Sequence, residues 1–325
     1  MTARRLRAGL IGCGNIGLYH ARAAAADPRL ELVAYADARP EAARTFLAEH
    51  GGRYATADTG ELIGDDGIDI VIIATHHDSH AALALAAAGA GRHILLEKPM
   101  ATSVADALAI RDAVLSAGVS CAINYKFRLD QPVRQARDSM PAPCLAVVQL
   151  AMGPIGPASD DHWVYDPVRG GGLVMSTGTH LLDLLCWVCR SEPAACSGSS
   201  SVVADRPAGL ADITVSSVEF ESGALGSVVL ADVGENAALS KWSCQIYDGT
   251  SSVVLTGRLQ VATYSAGPPP APRGPAGLPG SMLGSLADAV LTGSPVAADV
   301  HDGVRAVKLA AALADAAASG QRVLL

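Results

Sequence analysis

Lys98 stands in the run LLEKPMA, behind a short apolar stretch and ahead of a proline. A lysine fixed at the end of a strand by a following proline can point into a cleft. There its ammonium can hydrogen-bond a hydroxyl and stabilise the charge that develops as the proton leaves. A solvated surface lysine is the competing reading. Further on, RGGGLVMSTGTHLLDLLCW spaces Ser176, His180 and Asp183 at i, i+4 and i+7. That spacing puts them on one face of a helix beginning near Ser176. Leucines supply the rest of the helix, and polar groups beside a buried face must be paired. A histidine in that company suits general acid–base work, although a lone helical histidine can also be structural. Gly170, Gly171 and Gly172 let the backbone ahead of the helix approach a ligand. The chemistry these types share is proton transfer at a hydroxyl.

A second constellation lies near the start, in LIGCGNIG. Gly12 permits a tight turn, Gly14 lets the backbone approach a pyrophosphate, and Gly17 lets a following helix pack closely. Asp37 follows 20 residues after Gly17, at the end of a second apolar run, where a carboxylate can accept from an adenine-ribose hydroxyl. An ordinary glycine-rich turn has the same local spacing. The acid points to NAD, because it would repel the extra phosphate of NADP; Arg39 nearby leaves NADP open.

These residues need a scaffold. LRAGLIG, LELVAYAD, IDIVIIAT, HILLEKP and VSCAINY read as strands, with IGLYHARAAAA, PEAARTFLAEH, HAALALAAAG and SVADALAIRDAVLSAG as helices between them. This alternation predicts an α/β domain with a doubly wound parallel sheet. Its right-handed crossovers gather the loops that carry the glycines and Lys98 along one sheet edge. After residue 122 the rhythm changes. PCLAVVQLAM, DITVSSVEFES, GALGSVVLADV, KWSCQIYDG and SSVVLTG are alternating runs joined by turns, and predict an open, mainly antiparallel sheet. Helices around GTHLLDLLCWVC, SMLGSLADAVLTG and DGVRAVKLAAALADAAASG make this second part α+β. The expected domains are 1–122 for the dinucleotide and 123–325 for substrate and oligomerisation. The last helix is free to stay with the second domain or pack back on the first. GPPPAPRGPAGLPG reads as an exposed loop.

Composition excludes several classes. With 24 Lys and Arg against 32 Asp and Glu the formal charge is -8, which argues against a nucleic-acid partner. No apolar run reaches 18 residues, so no membrane span is expected. Residues 1–7 are basic without a cleavable signal pattern, and a cytoplasmic location is expected. The seven cysteines are odd in number and irregularly spaced, so no disulfide framework is expected. Cys186 and Cys189 form a C-x-x-C inside an apolar helical pattern and read as buried thiols. No second pair completes a zinc site, so no metal is expected. The β-rich half has too few helices to cover both sheet faces, which predicts a homodimer or homotetramer.

Nearly end to end, the chain resembles the Gfo/Idh/MocA oxidoreductases, relatives of glucose–fructose oxidoreductase and inositol dehydrogenase. The resemblance is carried by GLIGCGNIG, ATHHDSH, EKP, NYKFRLDQPV, HWVYDPVRGGG, TGTHLLDLL and DGVRAVKLAAAL. It implies a Rossmann domain followed by a domain with an open sheet that assembles into dimers or tetramers. It also implies oxidation or reduction of one secondary alcohol of a sugar, amino sugar or cyclitol. In that scheme His180 exchanges the hydroxyl proton, nicotinamide C4 exchanges the hydride, and Lys98 polarises the same oxygen.

Implied cofactor contacts are Gly12, Gly14, Asn15, Ile16, Gly17, Asp37, Thr75, His76, His80, Glu97 and Lys98. Implied substrate contacts are Lys98, Tyr125, Arg128, Trp163, Ser176, His180 and Asp183, with Asp161 and His162 as further candidates. Asp183 orients a substrate hydroxyl or the helix itself, and Trp163 offers either a ring face to a sugar or a core side chain. Two positions depart from the family pattern. Ser176 stands where many members have Asp, and a hydroxyl cannot stabilise an imidazolium as a carboxylate would. His76 stands where proline is common, making it a local alternative acid or base. Imine reduction, dihydrodiol oxidation and a non-catalytic NAD-binding sensor stay open as other readings.

Overall fold

Four consecutive β-branched residues, Ile70–Ile73, form a strand buried along its whole length, as a parallel sheet covered on both faces demands. This strand is β4 of a computed structural model that describes residues 5–153, 163–203, 210–234, 241–265 and 280–325. Asp161, His162 and nearly all of the Pro/Gly-rich run lie outside the described residues. The chain divides into two compact units. The first comprises the described residues within Met1–Ala101, Ala105–Asn124 and Gly277–Val304, the second those within Thr102–Val104, Tyr125–Ala276 and Arg305–Leu325.

In the first unit β1 (Leu6–Ile11), α1 (Asn15–Ala26), β2 (Leu30–Ala36), α2 (Pro40–His50), β3 (Tyr54–Thr56) and α3 (Thr59–Gly64) precede β4. After it come α4 (His80–Gly89), β5 (His93–Leu96), α5 (Val104–Ala117) and β6 (Cys121–Ile123). The strands pair in parallel in the order β3-β2-β1-β4-β5-β6. Strand order reverses between β1 and β4, and the crevice beyond that switch point is where such sheets take ligands. Local chemistry sets the helix ends. Pro40 opens α2 and Gly51 at φ 74° closes it, while the Asp58 carboxylate caps α3 by accepting from Gly60 N–H at 2.8 Å.

The second unit contains α6 (Gln131–Ser139), β7 (Leu145–Ala151), α7 (Thr179–Cys189), β8 (Pro193–Ser201), β9 (Ile213–Phe220), β10 (Leu225–Ala231), β11 (Trp242–Tyr247), β12 (Ser252–Thr256) and β13 (Val261–Tyr264). Its eight-stranded sheet runs β13-β12-β11-β7-β10-β9-β8-β14, with β14 (Val323–Leu324) at one edge. All pairs are antiparallel except β7 with β10. Burial alternates along β7, β9 and β10, and α7 packs on β7 and β10.

Several elements differ from what the sequence predicts. β8 is read from PAACSGSSS, whose serines and glycine have low strand propensity; pairing along β9 overrides that preference. β3 and α3, of three and six residues, are too short for periodicity to reveal. α8 (Met282–Thr292) belongs to the first unit, beside α1, β5 and β6. α9 (Val300–Ser319) closes the chain ahead of β14. Cys186 and Cys189 are buried in α7, and burial raises both thiols well above their ordinary range. No helix among the described residues is long and apolar enough to cross a membrane.

Candidate functional site

The turn between β1 and α1 is built by its glycines. Gly12 has φ 98°, a conformation L side chains rarely adopt. A Cβ there would stand 2.3 Å from the Ala74 carbonyl oxygen at the end of β4. A Cβ on Gly17 would stand 2.1 Å from the Gly12 carbonyl oxygen, so Gly17 serves the turn itself more than the strand. Gly14 is different: a Cβ there would meet nothing within 4 Å. The open space lies at the N-terminus of α1, where unpaired backbone N–H groups and the helix dipole favour an anion. Asn15 and Ile16 are exposed beside it, and Ile16 at 51% is an apolar side chain with an open flank.

Asp37 follows β2 and is fixed in place. Its Oδ2 accepts from Cys13 N–H at 2.8 Å and its Oδ1 from Arg39 N–H at 2.8 Å. Arg39 is exposed, with Nε 3.4 Å from Asp37 Oδ1. Burial, then the Asp37 charge, push the Cys13 thiol up to about 12, so it stays protonated at neutral pH. An open anion cradle at Gly14 and a fixed carboxylate at the end of the next strand fit a dinucleotide.

Lys98 follows β5 in a turn braced from two sides. On one side, Glu97 Oε2 accepts the Lys98 backbone N–H at 3.2 Å. On the other, His80 Nδ1–H donates to the Pro99 carbonyl at 2.8 Å. Both ring nitrogens face carbonyls, which only accept, so a neutral His80 donates to one of them at a time, and the shorter contact favours Nδ1 as the donor. Burial lowers the His80 pKa and favours the neutral ring. His80 Nε2 lies 3.3 Å from the Thr75 carbonyl, and its ring stands 5.6 Å from the buried His77 ring. His76 is exposed, and its carbonyl accepts from Ser79 Oγ at 2.8 Å.

Glu97 is buried, and its carboxylate is used inside the unit. Oε1 lies 2.8 Å from His20 Nε2 and accepts from Asn124 Nδ2 at 2.6 Å. Burial would raise this carboxyl, but His20, Lys98 and Asn124 outweigh burial and hold it down at about 2. Sequence reasoning missed His20 and Asn124. A signal existed in α1, whose buried stripe is Gly17, His20, Ala21 and Ala24. The histidine there required a partner.

In the second unit His180 occupies the first turn of α7, directly after a single π-helical turn, Val174–Gly178. Such turns recur at functional sites. Ser176 sits in that turn rather than in α7, so the i, i+4 spacing to His180 does not place the two on one α-helical face. Three aromatic rings surround the imidazole: Phe127 at 5.1 Å, Trp242 at 6.0 Å and Tyr125 at 6.3 Å between centroids. Phe127 and Trp242 had no signal beyond their type. Arg128 and Asp183, expected to meet substrate, meet each other: Arg128 Nε donates to Oδ2 at 3.0 Å and Nη2 to Oδ1 at 2.5 Å. Both are buried. Trp163 opens a short 3₁₀ turn, half-buried, against which Gly170 packs with no room for a Cβ.

Two family models match this chain. One, for the oxidoreductase family with an NAD-binding Rossmann fold, covers residues 6–125; the other, the GFO/IDH/MocA C-terminal domain, covers 146–247. Among individual proteins, the chain is 29% identical over 233 residues to 1,5-anhydro-D-fructose reductase of Ensifer adhaerens, covering 67% of each. It is 26% identical over 230 residues to myo-inositol 2-dehydrogenase of Thermotoga maritima, covering 69% of this chain and 67% of the relative. The solved structure of aldose-aldose oxidoreductase from Caulobacter crescentus, complexed with glycerol, superimposes with a TM-score of 0.85. Its identity is 26%, over 99% of this chain and 100% of that one.

Proposed function

This chain belongs to the Gfo/Idh/MocA family of oxidoreductases with an NAD-binding Rossmann fold, and we propose on that premise that it transfers a hydride between nicotinamide C4 and a secondary alcohol or ketone of a sugar, amino sugar or cyclitol. The observation that carries the reading is the bond from His20 on the dinucleotide helix to Glu97 beside Lys98. It ties a candidate cofactor cradle to a candidate catalytic ammonium within one unit. Relatives named for anhydrofructose and myo-inositol support a polyhydroxylated substrate.

In this proposal Gly14, Asn15 and Ile16 take the pyrophosphate at the α1 N-terminus, and Asp37 takes the adenine ribose. Asp37 Oδ2, beside its bond from Cys13 N–H, has a second lone pair for that hydroxyl, and the carboxylate charge selects NAD over NADP. Thr75, His76 and the braced turn at Lys98 face the nicotinamide end. When bound, the nicotinamide gives or takes the hydride. Lys98 Nζ hydrogen-bonds the substrate oxygen and stabilises its developing charge. His180 takes the hydroxyl proton in oxidation and returns it in reduction. Arg128 and Asp183 hold the chain around His180, while Ser176, Tyr125 and Trp163 contact substrate.

The same reading places the enzyme in the cytoplasm and makes it a homodimer or homotetramer. Supporting assembly, the outward face of the eight-stranded sheet carries Val215 and Leu225 at 50% and 52% exposure, with Val147, Val229 and Val254 half-buried among them. A second copy of that face is the occupant that fits. The test of function is NADH formation over a panel of polyols, sugars and cyclitols, run beside NADP and beside cofactor titration without substrate. Turnover supports the reading; tight NAD binding without turnover on any alcohol contradicts it.

A further inference from the structure

We propose that His20 is a positioning residue: acting through Glu97, it ties the helix at the dinucleotide turn to the turn that presents Lys98. This rests on the role proposed above for Lys98 at the substrate oxygen. His20 is the one polar member of the buried α1 stripe, and the glycine and alanines around it let the helix lie close to the sheet. Its Nε2 meets Glu97 Oε1 at 2.8 Å, Asn124 Nδ2 donates to the same oxygen at 2.6 Å, and the Lys98 backbone N–H takes Oε2 at 3.2 Å.

The three donors come from α1, from the residue after β6 and from the turn itself. A carboxylate is an acceptor at both oxygens, and a buried one without donors gives up its charge or its position. The Asn124 amide can serve in only one orientation, with its NH₂ on the carboxylate. Accordingly its buried Oδ1 finds no partner among the described residues. Glu97 is therefore a fixed bracket for the Lys98 backbone, and the His20 contact keys that bracket to α1. Without it, the turn loses its reference to the helix on which the cofactor is proposed to sit.

The test compares His20→Leu, which removes the donor, with His20→Gln, whose amide N–H₂ can reach the same oxygen. One readout needs no substrate: the rate at which a small anhydride acylates Lys98 in the folded protein, read by peptide mass spectrometry. The other is kcat against the KM for NAD. His20→Leu should acylate Lys98 at least about threefold faster, because the turn that holds its side chain loosens. It should lower kcat by about tenfold to a hundredfold while KM for NAD changes by less than about threefold, as displacement of a catalytic group does. His20→Gln should return both toward the parent. A folded His20→Leu with parental Lys98 labelling overturns the proposal. Should that variant not fold, Asn124→Leu removes the second donor from the same oxygen and is held to the same outcomes. A parent that turns over no alcohol contradicts the proposed function, and the labelling contrast still decides the role of His20.

Discussion

Arg128 grips Asp183 with both ends of its guanidinium fork, and the two side chains are buried together. The pair pins the 3₁₀ turn Lys126–Leu129, which carries Phe127, against α7 three residues beyond His180. Breaking a buried pair from one side strands a charge, which costs about 3–5 kcal/mol, whereas replacing both partners with apolar groups is often neutral. Asp183→Ala should therefore lower unfolding stability by that amount, and Arg128→Met with Asp183→Leu should recover most of it. Urea unfolding measures both, and a single variant as stable as the parent refutes the structural weight given to the pair.

Glu97 predicts an acid dependence. Its folded carboxyl sits near about 2, held there against burial by His20, Lys98 and Asn124, whereas an unfolded glutamate titrates at about 4.3. A depressed carboxyl contributes its stability in full above the unfolded value and loses it as pH falls toward the folded one. Between roughly pH 4.3 and 2 the parent should lose on the order of 3 kcal/mol that Glu97→Gln does not lose. Urea unfolding from pH 5 downward checks this; parallel curves for the two proteins contradict it.

The glycines of the first turn separate folding from binding. A Cβ at Gly17 collides with the Gly12 carbonyl, while one at Gly14 meets open space. Gly17→Ala should lower the melting temperature and the yield of folded protein. Gly14→Ala should melt with the parent but bind NAD at least about tenfold more weakly, since the methyl occupies the space meant for pyrophosphate. Melting curves beside NAD titration decide it, and a Gly14→Ala that binds NAD like the parent removes the pyrophosphate from that position.

On the outward sheet face Val215 and Val229 are directly paired across β9 and β10. Water-exposed apolar clusters on a sheet mark interfaces. Light scattering at micromolar concentration should give a dimer or tetramer, and Val215→Glu with Val229→Glu should give a monomer. A monomeric parent ends that part of the account.

What the sequence shows in advance is what depends on neighbours in the chain. The strand–turn–helix around Gly12 to Gly17, β5 with its EKP turn, and α7 follow from turn chemistry and periodicity. Pairings made by the sheet are hidden. His20 and Glu97 are 77 positions apart, and Arg128 and Asp183 are 55 apart. In each case topology, not spacing, brings them together. Ser176 is misread for a different reason: a π-turn breaks the helical count just before His180. The helix MLGSLADAVLT shows an apolar stripe but nothing that says which unit it covers, and β8 acquires its strand character from its long pairing with β9.

The pH–rate profile of NADH formation, on an alcohol the parent oxidises, for the parent, His180→Ala and Lys98→Ala, tests the roles proposed for the two side chains most directly. Both variants should lose turnover by about 10²- to 10⁴-fold, more than their NAD binding weakens, the range for a positioned acid–base group and for an electrostatic stabiliser in a dry site. With Ser176 in place of a carboxylate, parental oxidation should rise with pH through a single histidine-like limb that His180→Ala abolishes. A His180→Ala that keeps near-parental turnover and the same limb contradicts the account and moves the search for the base to His76.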